Sequence, residues 1–200
     1  MVGAVRPVPE ETVRFRHGFL CSMSLNNDYR NQLDQDVFMA KDNSETALCS
    51  RLTSIGRIGI AESGGVVSHL YFMEKTGDRI AETGCTPLLE EAFRQLDAWL
   101  AGRIHSFSLP FAVEGSDFSQ RVWRALLDIP YGSTAAYAEV AAAVGAPGAA
   151  RAVGSACRRN PLPVIIPCHR VIGSDGSMGG YLGGADIKRR LLDLERRNCG

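Results

Sequence analysis

The pattern of apolar and polar positions sharpens near residue 47, where three β-rich runs predict an antiparallel β-meander. Turn residues separate the three β-rich runs, which are 47–53, 56–62 and 65–73. Residues 1–45 show neither a helical nor a strand period, so no structure is predicted for them. Met39 precedes the first clear pattern, and one hypothesis is that translation starts there.

A helical repeat follows the meander. Thr86 can cap a helix that has Pro87 at its first position, and Gly102 can end it. Apolar residues spaced three and four apart mark the buried face, and these are Leu89, Phe93, Leu96 and Leu100. Residues 46–108 are therefore predicted to form a small α/β module, and nothing in it resembles a catalytic site.

After a linker at residues 103–116 the pattern becomes helical. Asp117 and Gln120 have the spacing of a capping box. The helix that they open carries an apolar stripe and is expected to end near Ile129, before Pro130. The stripe consists of Phe118, Val122, Leu126 and Leu127. Trp123 is interpreted as a core residue.

Two further helices joined by a short turn predict a helix-turn-helix arrangement. The first is alanine-rich and runs from Ser133 or Thr134 through Val144, and the second covers residues 149–159. Many such pairs have no role in nucleic-acid binding. Basic residues on or beside the second helix favour that role here, and these are Arg151, Arg158 and Arg159.

The zero net charge of the chain conceals an asymmetry. Residues 1–117 contain 11 Lys and Arg against 16 Asp and Glu, a balance of −5, whereas residues 118–200 contain 11 against 6, a balance of +5. Contacts with phosphate supply most non-specific affinity for nucleic acid. The C-terminal part is therefore the part suited to a polyanionic partner.

The cysteines and the apolar runs bear on compartment and metal binding. No run approaches the roughly 18 apolar residues of a membrane span, and the first 15 residues lack the apolar stretch of a signal peptide. We therefore expect a cytoplasmic protein that does not bind membranes, with its six cysteines reduced. No metal is expected, although a zinc site remains an alternative for Cys21, Cys49 and Cys85 with His17, His69 or His105.

The segment 160–171 carries the strongest chemical signal. Cys168 follows an apolar run and Pro167, and it precedes His169 and Arg170. A cation or an imidazole beside a thiol favours the thiolate, which is the reactive form. Successive residues of a strand point to opposite faces, so His169 would act on Cys168 through a bend of the backbone or a water molecule.

Four motifs together resemble the O6-alkylguanine-DNA alkyltransferases, also called methylated-DNA–protein-cysteine methyltransferases. They are R-A-V-G at 151–154, N-P-x-P from Asn160, P-C-H-R at 167–170 and G-Y-x-G-G at 180–184. The similarity runs from about Phe118 to Glu195 and extends more faintly over the meander and its helix. It implies an N-terminal ribonuclease-H-like module and, over residues 116–198, a winged-helix-like DNA-binding domain. It also implies a monomer without cofactor that binds alkylated double-stranded DNA through the minor groove.

The resemblance also assigns the reacting groups. Cys168 corresponds to the thiolate that accepts the alkyl group, His169 to the base that removes its proton through a water molecule, and Glu195 to the carboxylate that orients this imidazole. Tyr137 corresponds to the residue that protonates the leaving guanine and crowds the adjacent phosphate. Arg151 corresponds to the side chain that fills the space left by the flipped nucleotide.

The remaining family positions surround these residues. Asn160 corresponds to a brace between the second helix and the cysteine. Small residues would let that helix approach the DNA, and these are Ala149, Ala152 and Gly154. The implied substrate pocket is lined by Cys157, Val171, Tyr181, Leu182, Gly183 and Lys188.

Leu182 departs from the small residue that the family usually has, and Cys157 replaces a methionine or a similar side chain. A leucine at position 182 would narrow the pocket and remove a hydrogen bond to the guanine oxygen. We therefore expect methyl to be transferred faster than benzyl.

Two other functions are consistent with the sequence. A helix-turn-helix regulator without chemistry would bind DNA and gain no mass from an alkylated oligonucleotide. A cysteine hydrolase that uses Cys168 and His169 would turn over many times, although the sequence has no evident oxyanion-hole motif.

Overall fold

The structure is a computed structural model that describes residues 46–76 and 82–199. Residues 1–45, with the hypothetical start at Met39 and the candidate zinc ligands His17 and Cys21, lie outside the described residues. Within the described ranges, no helix is long and apolar enough to cross a bilayer.

Three antiparallel strands confirm the predicted meander. They are β1 (Ala47–Thr53), β2 (Gly56–Ser63) and β3 (Val66–Phe72), in the order β1-β2-β3. In β2 the four consecutive residues 58–61 are buried, and β3 buries Val67, Leu70 and Phe72. The third strand ends at Phe72, because residues 73–76 turn into the short helix α1 (Met73–Thr76).

The predicted helix after the meander is also confirmed, as α2 (Pro87–Leu100). The Thr86 hydroxyl accepts the N–H of Leu89 at 3.2 Å, Pro87 occupies the first turn, and Gly102 follows the end with φ +69°. The buried face of α2 packs on all three strands.

The expectation of reduced thiols is wrong for one pair of cysteines. Cys49 on β1 and Cys85, just before α2, form a disulfide with a Cα–Cα distance of 5.1 Å. Two cysteines bonded to each other cannot act as thiolate ligands. Among the described residues no group of three or more His, Cys, Asp or Glu side chains is arranged to hold a metal ion.

The segment between α2 and the next helix contains no helix and only one isolated strand pairing, but it is not a loose connection. Val67 of β3 donates its N–H to the Pro110 carbonyl at 2.9 Å and accepts the N–H of Ala112 at 3.1 Å. Leu109, Phe111 and Val113 are buried. The predicted linker therefore extends one edge of the sheet and belongs to the core.

The next helix is α3 (Asp117–Leu127), and its cap lies one residue before the predicted one. The Ser116 hydroxyl, rather than Asp117, accepts the N–H of Ser119 at 3.3 Å. The Gln120 side chain donates to the Gly115 carbonyl at 3.0 Å. Trp123 is buried, as predicted, and its indole N–H donates to the Ala156 carbonyl at 3.0 Å.

The predicted pair of helices is present, but the first begins later than expected. Ala135–Ala136 form a short strand, β4, which pairs in parallel with β5 (Val171–Ile172), so the backbone stays extended there. The helices are α4 (Tyr137–Ala143) and α5 (Ala150–Arg158). The final helix is α6 (Ala185–Asn198).

Buried apolar residues from both halves of the chain form one continuous core. The sheet and α2 contribute Ile58, Phe93 and Trp99, and the C-terminal half contributes Leu126 and Leu191. The two halves also share a backbone hydrogen bond, from the Leu70 N–H to the Pro161 carbonyl at 2.8 Å. The core therefore surrounds the segment that carries Cys168.

Candidate active site

A tightly folded segment, rather than a strand, places Cys168. Residues 168–170 form one turn of 3-10 helix, and the Ile166 N–H donates to the Leu162 carbonyl at 2.8 Å. Val164 is buried and has φ +77°, a left-handed conformation that β-branched residues rarely adopt. Cys168 and His169 therefore do not lie on a strand, and the backbone bend that the sequence analysis names as one route is present.

Asn160 holds both ends of this segment. Its amide N–H2 group donates to the Ile166 carbonyl at 2.8 Å and to the Cys168 sulfur at 3.1 Å. Its amide oxygen accepts the Leu162 N–H at 3.0 Å. One buried side chain therefore connects the end of α5 to the sulfur atom.

The environment of Cys168 keeps its thiol protonated. The residue is 3% exposed, and burial raises its pKa to about 11, against the opposing effects of the Asn160 hydrogen bond and the Lys188 cation. The sequence-based expectation that His169 and Arg170 hold Cys168 as a thiolate is therefore wrong. A base has to remove this proton before the sulfur can act as a nucleophile.

His169 is fully buried and lies against Glu195. Its Nε2 is 2.8 Å from Glu195 Oε1, and burial lowers the pKa of His169, so the imidazole is neutral. Among the described residues no group forms a hydrogen bond with His169 Nδ1. If Nε2 carries the proton and donates it to the carboxylate, Nδ1 is the free basic nitrogen.

Glu195 remains ionised although it is buried. Burial raises the pKa of this carboxyl, but the hydrogen bond from His169 and the charge of Arg170 bring it down to about 2. Arg170 Nε lies 3.0 Å and 3.1 Å from the two carboxylate oxygens, and Gly132 N–H donates to Oε2 at 2.9 Å. The carboxylate thus has a partner on each oxygen.

This role of Arg170 is not evident from the sequence. Its guanidinium was interpreted as a cation beside the Cys168 thiol, but it points to Glu195 and to the Ile129 carbonyl, which it reaches at 2.7 Å. The buried guanidinium also lies over the Tyr131 ring, 5.6 Å from its centroid. A basic residue two positions after a cysteine carries no signal for such a long-range ion pair.

Tyr137 is half buried at the start of α4. Burial, followed by the influence of Cys157 and Cys168, raises the pKa of its phenol, so the hydroxyl carries its proton. A Cβ atom added at Gly179 would lie 2.5 Å from this hydroxyl, and one added at Gly154 would lie 3.7 Å from the ring. The phenol therefore sits between α5 and the loop that contains Gly179.

Helix α5 separates the predicted DNA-contacting residues from the site itself. Arg151 and Ala152 are exposed, and Ala149 and Gly154 are half-buried. Cys157 is buried on the inner face with its pKa raised to about 12 by burial, then by Cys168. The structure places Cys157 in the group around Cys168 and leaves Arg151 at the surface.

The glycine loop, residues 178–184, lies beside the thiol. Lys188 is fully buried, and its ammonium donates to the Val171 carbonyl at 2.6 Å and to the Met178 carbonyl. The Tyr181 ring lies 6.4 Å from the His169 ring, and its buried hydroxyl has no hydrogen-bond partner among the described residues. Leu182 is 39% exposed, whereas Gly183 is buried.

Two aromatic residues of the N-terminal half also border the site, although nothing in the sequence of that half resembles a catalytic site. Trp99 of α2 packs edge-on against His169, with ring centroids 5.8 Å apart. Phe72 of β3 packs against Tyr181, with centroids 5.7 Å apart. The apolar periods of α2 and β3 identify Trp99 and Phe72 as core residues, but they do not show which residues of the C-terminal half these two side chains contact.

The arrangement combines a buried thiol, a neutral imidazole with one free nitrogen, and a carboxylate that fixes the other nitrogen. This is the order of nucleophile, base and orienting group used in covalent catalysis. A protonated phenol stands nearby as a proton donor. The group can therefore generate a thiolate in a place shielded from water.

Comparison with known proteins finds close relatives. Residues 117–197 match the family described as 6-O-methylguanine DNA methyltransferase, DNA binding domain. The methylated-DNA–protein-cysteine methyltransferase of Mycobacterium tuberculosis is 47% identical over 145 residues, covering 71% of this chain and 87% of the relative. The constitutive enzyme of that name from Bacillus subtilis is 44% identical over 151 residues, covering 72% and 92%.

Solved structures give the same result. The crystal structure of Mycobacterium tuberculosis OGT in complex with DNA has a TM-score of 0.71 and 44% identity, and the match covers 76% of this chain and 94% of that one. The crystal structure of Mycobacterium tuberculosis O6-methylguanine methyltransferase has a TM-score of 0.72 and 43% identity, with 77% and 94% coverage. The mixed α/β fold with its three-stranded antiparallel sheet is therefore shared with these proteins.

Proposed function

The chain belongs to the methylated-DNA–protein-cysteine methyltransferase family, and we propose that it repairs O6-alkylguanine, mainly O6-methylguanine, by transferring the alkyl group to Cys168. The observation that supports this most is the buried thiol of Cys168 beside a neutral imidazole whose Nε2 is fixed by Glu195. Such a site suits an attack by sulfur on carbon, which needs no cofactor.

The transfer proceeds by displacement. The free Nδ1 of His169 accepts the thiol proton through a water molecule, and the resulting imidazolium is stabilised by Glu195. The sulfur attacks the methyl carbon, a C–S bond forms, and the electron pair of the broken C–O bond stays with guanine. Tyr137 donates a proton to the guanine and recovers one from His169, so the products are guanine and S-methylcysteine.

Each molecule acts once. A thioether is not hydrolysed under physiological conditions. The reaction is therefore stoichiometric, as the family name with protein cysteine as the acceptor implies.

DNA recognition is assigned to the surface of α5. The small residues Ala149, Ala152 and Gly154 let the helix approach the minor groove. Arg151 is exposed in the first turn of α5, and it would fill the stack after the damaged nucleotide has been turned out into the pocket. The positive balance of residues 118–200 complements the phosphates.

We also propose the domain architecture that the family resemblance implies. Residues 46–108 form a ribonuclease-H-like module, and residues 116–198 form a winged-helix-like DNA-binding domain. The protein acts as a monomer in the cytoplasm. A DNA-binding regulator without chemistry is not favoured, because its function would not require the buried pairing of His169 with Glu195.

Intact-protein mass spectrometry tests the proposal. After incubation with excess duplex that contains O6-methylguanine, the protein is expected to gain the mass of one CH2 group and no more. Cys168→Ser should gain nothing, whereas Cys157→Ser, which removes the other buried thiol of the site, should still gain one. An unchanged wild-type mass, or repeated turnover, would refute the proposal.

A further inference from the structure

Phe72 touches the glycine loop from the side of the sheet. Its ring packs edge-on against Tyr181, with centroids 5.7 Å apart and an angle of 66° between the planes. A Cβ atom placed on Gly183 would lie 3.0 Å from two ring atoms of Phe72 and 3.2 Å from the Ile187 side chain. The loop backbone is therefore in tight contact with β3 on one side and α6 on the other.

The rest of the loop is also held in place. The ammonium of Lys188 binds the Met178 carbonyl, and the Gly184 N–H donates to the Tyr181 carbonyl at 3.0 Å. The Tyr181 ring lies between Phe72 and His169, whose centroids are 5.7 Å and 6.4 Å away. Tyr181 and Gly183 can therefore move toward β3 only if the Phe72 ring is displaced.

We infer that Phe72 is a specificity-determining residue, which limits the size of the alkyl group by blocking the retreat of the glycine loop. The inference rests on the proposed function and adds to it a residue of the N-terminal sheet. Phe72 itself is 5% exposed and acts through Tyr181 and Gly183, so it is a positioning residue. Interiors are close-packed, so the shape of such a neighbour is transmitted to the pocket.

Selectivity between two alkyl groups tests the inference. We would measure second-order rate constants for O6-methylguanine and O6-benzylguanine in the same oligonucleotide. Phe72→Leu is expected to raise the benzyl-to-methyl ratio about tenfold, because small volume changes in an apolar pocket alter discrimination by about that factor. Ile187→Val relaxes the other side of Gly183 and should raise the ratio in the same direction.

Phe93→Leu is the matched control. Phe93 is a fully buried phenylalanine of the same core, and its ring contacts Arg51. This variant should lose stability and keep the wild-type ratio. A wild-type ratio in folded Phe72→Leu overturns the inference. If Phe72→Leu does not fold, a wild-type ratio in Ile187→Val, which relaxes the same packing of Gly183, overturns it. Failure of the wild-type protein to transfer methyl would instead overturn the proposed function.

Discussion

At the scale of single residues, the site depends on one buried charge that is fully compensated. Glu195 is inaccessible to solvent, yet Arg170, Gly132 and His169 together satisfy both of its oxygens. Removal of one partner from such a group leaves an uncompensated charge. Glu195 therefore links the stability of the C-terminal half to the orientation of the base.

Replacement of Glu195 tests this link. Glu195→Gln keeps the shape of the side chain and leaves the Arg170 guanidinium buried without its counter-charge, so we expect unfolding to become easier by about 3 kcal/mol. Methyl transfer should slow as well, because the amide cannot stabilise the imidazolium. Chemical denaturation and single-turnover kinetics measure the two effects.

Glu91→Gln is the control, since Glu91 pairs with Arg94 at 2.6 Å on the exposed face of α2. It should leave both stability and transfer unchanged. Equal stability of Glu195→Gln and the wild type would contradict this account of the ion pair.

The protonated thiol of Cys168 predicts a loss of stability in alkali. In the unfolded chain the thiol loses its proton near pH 9, whereas in the folded protein its pKa is about 11. The folded state therefore binds more protons in this interval, and stability falls as pH rises, by about 1.4 kcal/mol per pH unit for one group.

Cys168→Ser keeps a side chain that can accept the Asn160 hydrogen bond but does not titrate in this range. Denaturation curves between pH 8 and 11 should therefore fall less steeply for this variant than for the wild type. The same pH dependence of stability in both proteins would contradict a raised pKa for Cys168.

At the scale of elements, α5 lies between the proposed DNA-binding surface and the Cys168 sulfur. Val153, Ala156 and Cys157 are buried on its inner face, and the Trp123 indole N–H donates a hydrogen bond to the Ala156 carbonyl. Its outer face exposes Arg151. Asn160, just after the helix, donates to the Cys168 sulfur at 3.1 Å, so this side chain links the end of α5 to the thiol.

Arg151→Ala separates base flipping from chemistry. The variant should repair duplex DNA about tenfold more slowly, because nothing fills the stack after extrusion, which costs a few kcal/mol. Repair of single-stranded DNA should change little, because no base pair has to be opened there. Arg103→Ala, which removes an exposed arginine beyond α2, should leave the duplex-to-single-strand rate ratio unaltered. The same loss on both substrates would argue against a stacking role for Arg151.

The elements with a clear period could be predicted from the sequence, and those without one could not. The β-rich runs predict the three strands. The helical repeat, with Thr86 before it and Gly102 after it, predicts α2. The segment around Cys168 is buried on every side, so its residues show no period that would separate a strand from a turn. Ser116 and Asp117 both suit a cap, and only the geometry selects the serine.

Contacts between distant residues were the least predictable from the sequence. The motif of the family points to Cys168, His169 and Glu195, but the hydrogen bonds of Arg170 to Glu195 join residues 25 positions apart. Likewise, the sequence does not indicate that Cys49 pairs with Cys85, 36 residues later. Such contacts depend on how the elements pack, which local patterns do not encode.

At the scale of the whole molecule, the N-terminal half supports the site by packing. Trp99 lies against His169 and Phe72 lies against Tyr181, and the core runs without interruption through both halves. The disulfide, in contrast, joins β1 to the segment just before α2, and neither of its cysteines belongs to the proposed reacting group. It should therefore affect stability without affecting chemistry.

Loss of the disulfide tests this separation. Closure of a loop of this size contributes about 4 kcal/mol by restricting the unfolded chain. Cys49→Ala with Cys85→Ser, or reduction of the wild type, should lower the melting temperature while methyl transfer well below that temperature keeps its rate. An unchanged melting temperature, or slower transfer by a fully folded protein, would contradict the prediction.

The most direct measurement for the central claim is peptide mapping of the protein after reaction with duplex DNA that carries an isotopically labelled O6-methyl group. The account predicts one labelled methyl, on the peptide that contains Cys168, with Cys157 and Cys199 unmodified. Label on another cysteine, or none on Cys168 after prolonged incubation, would contradict it.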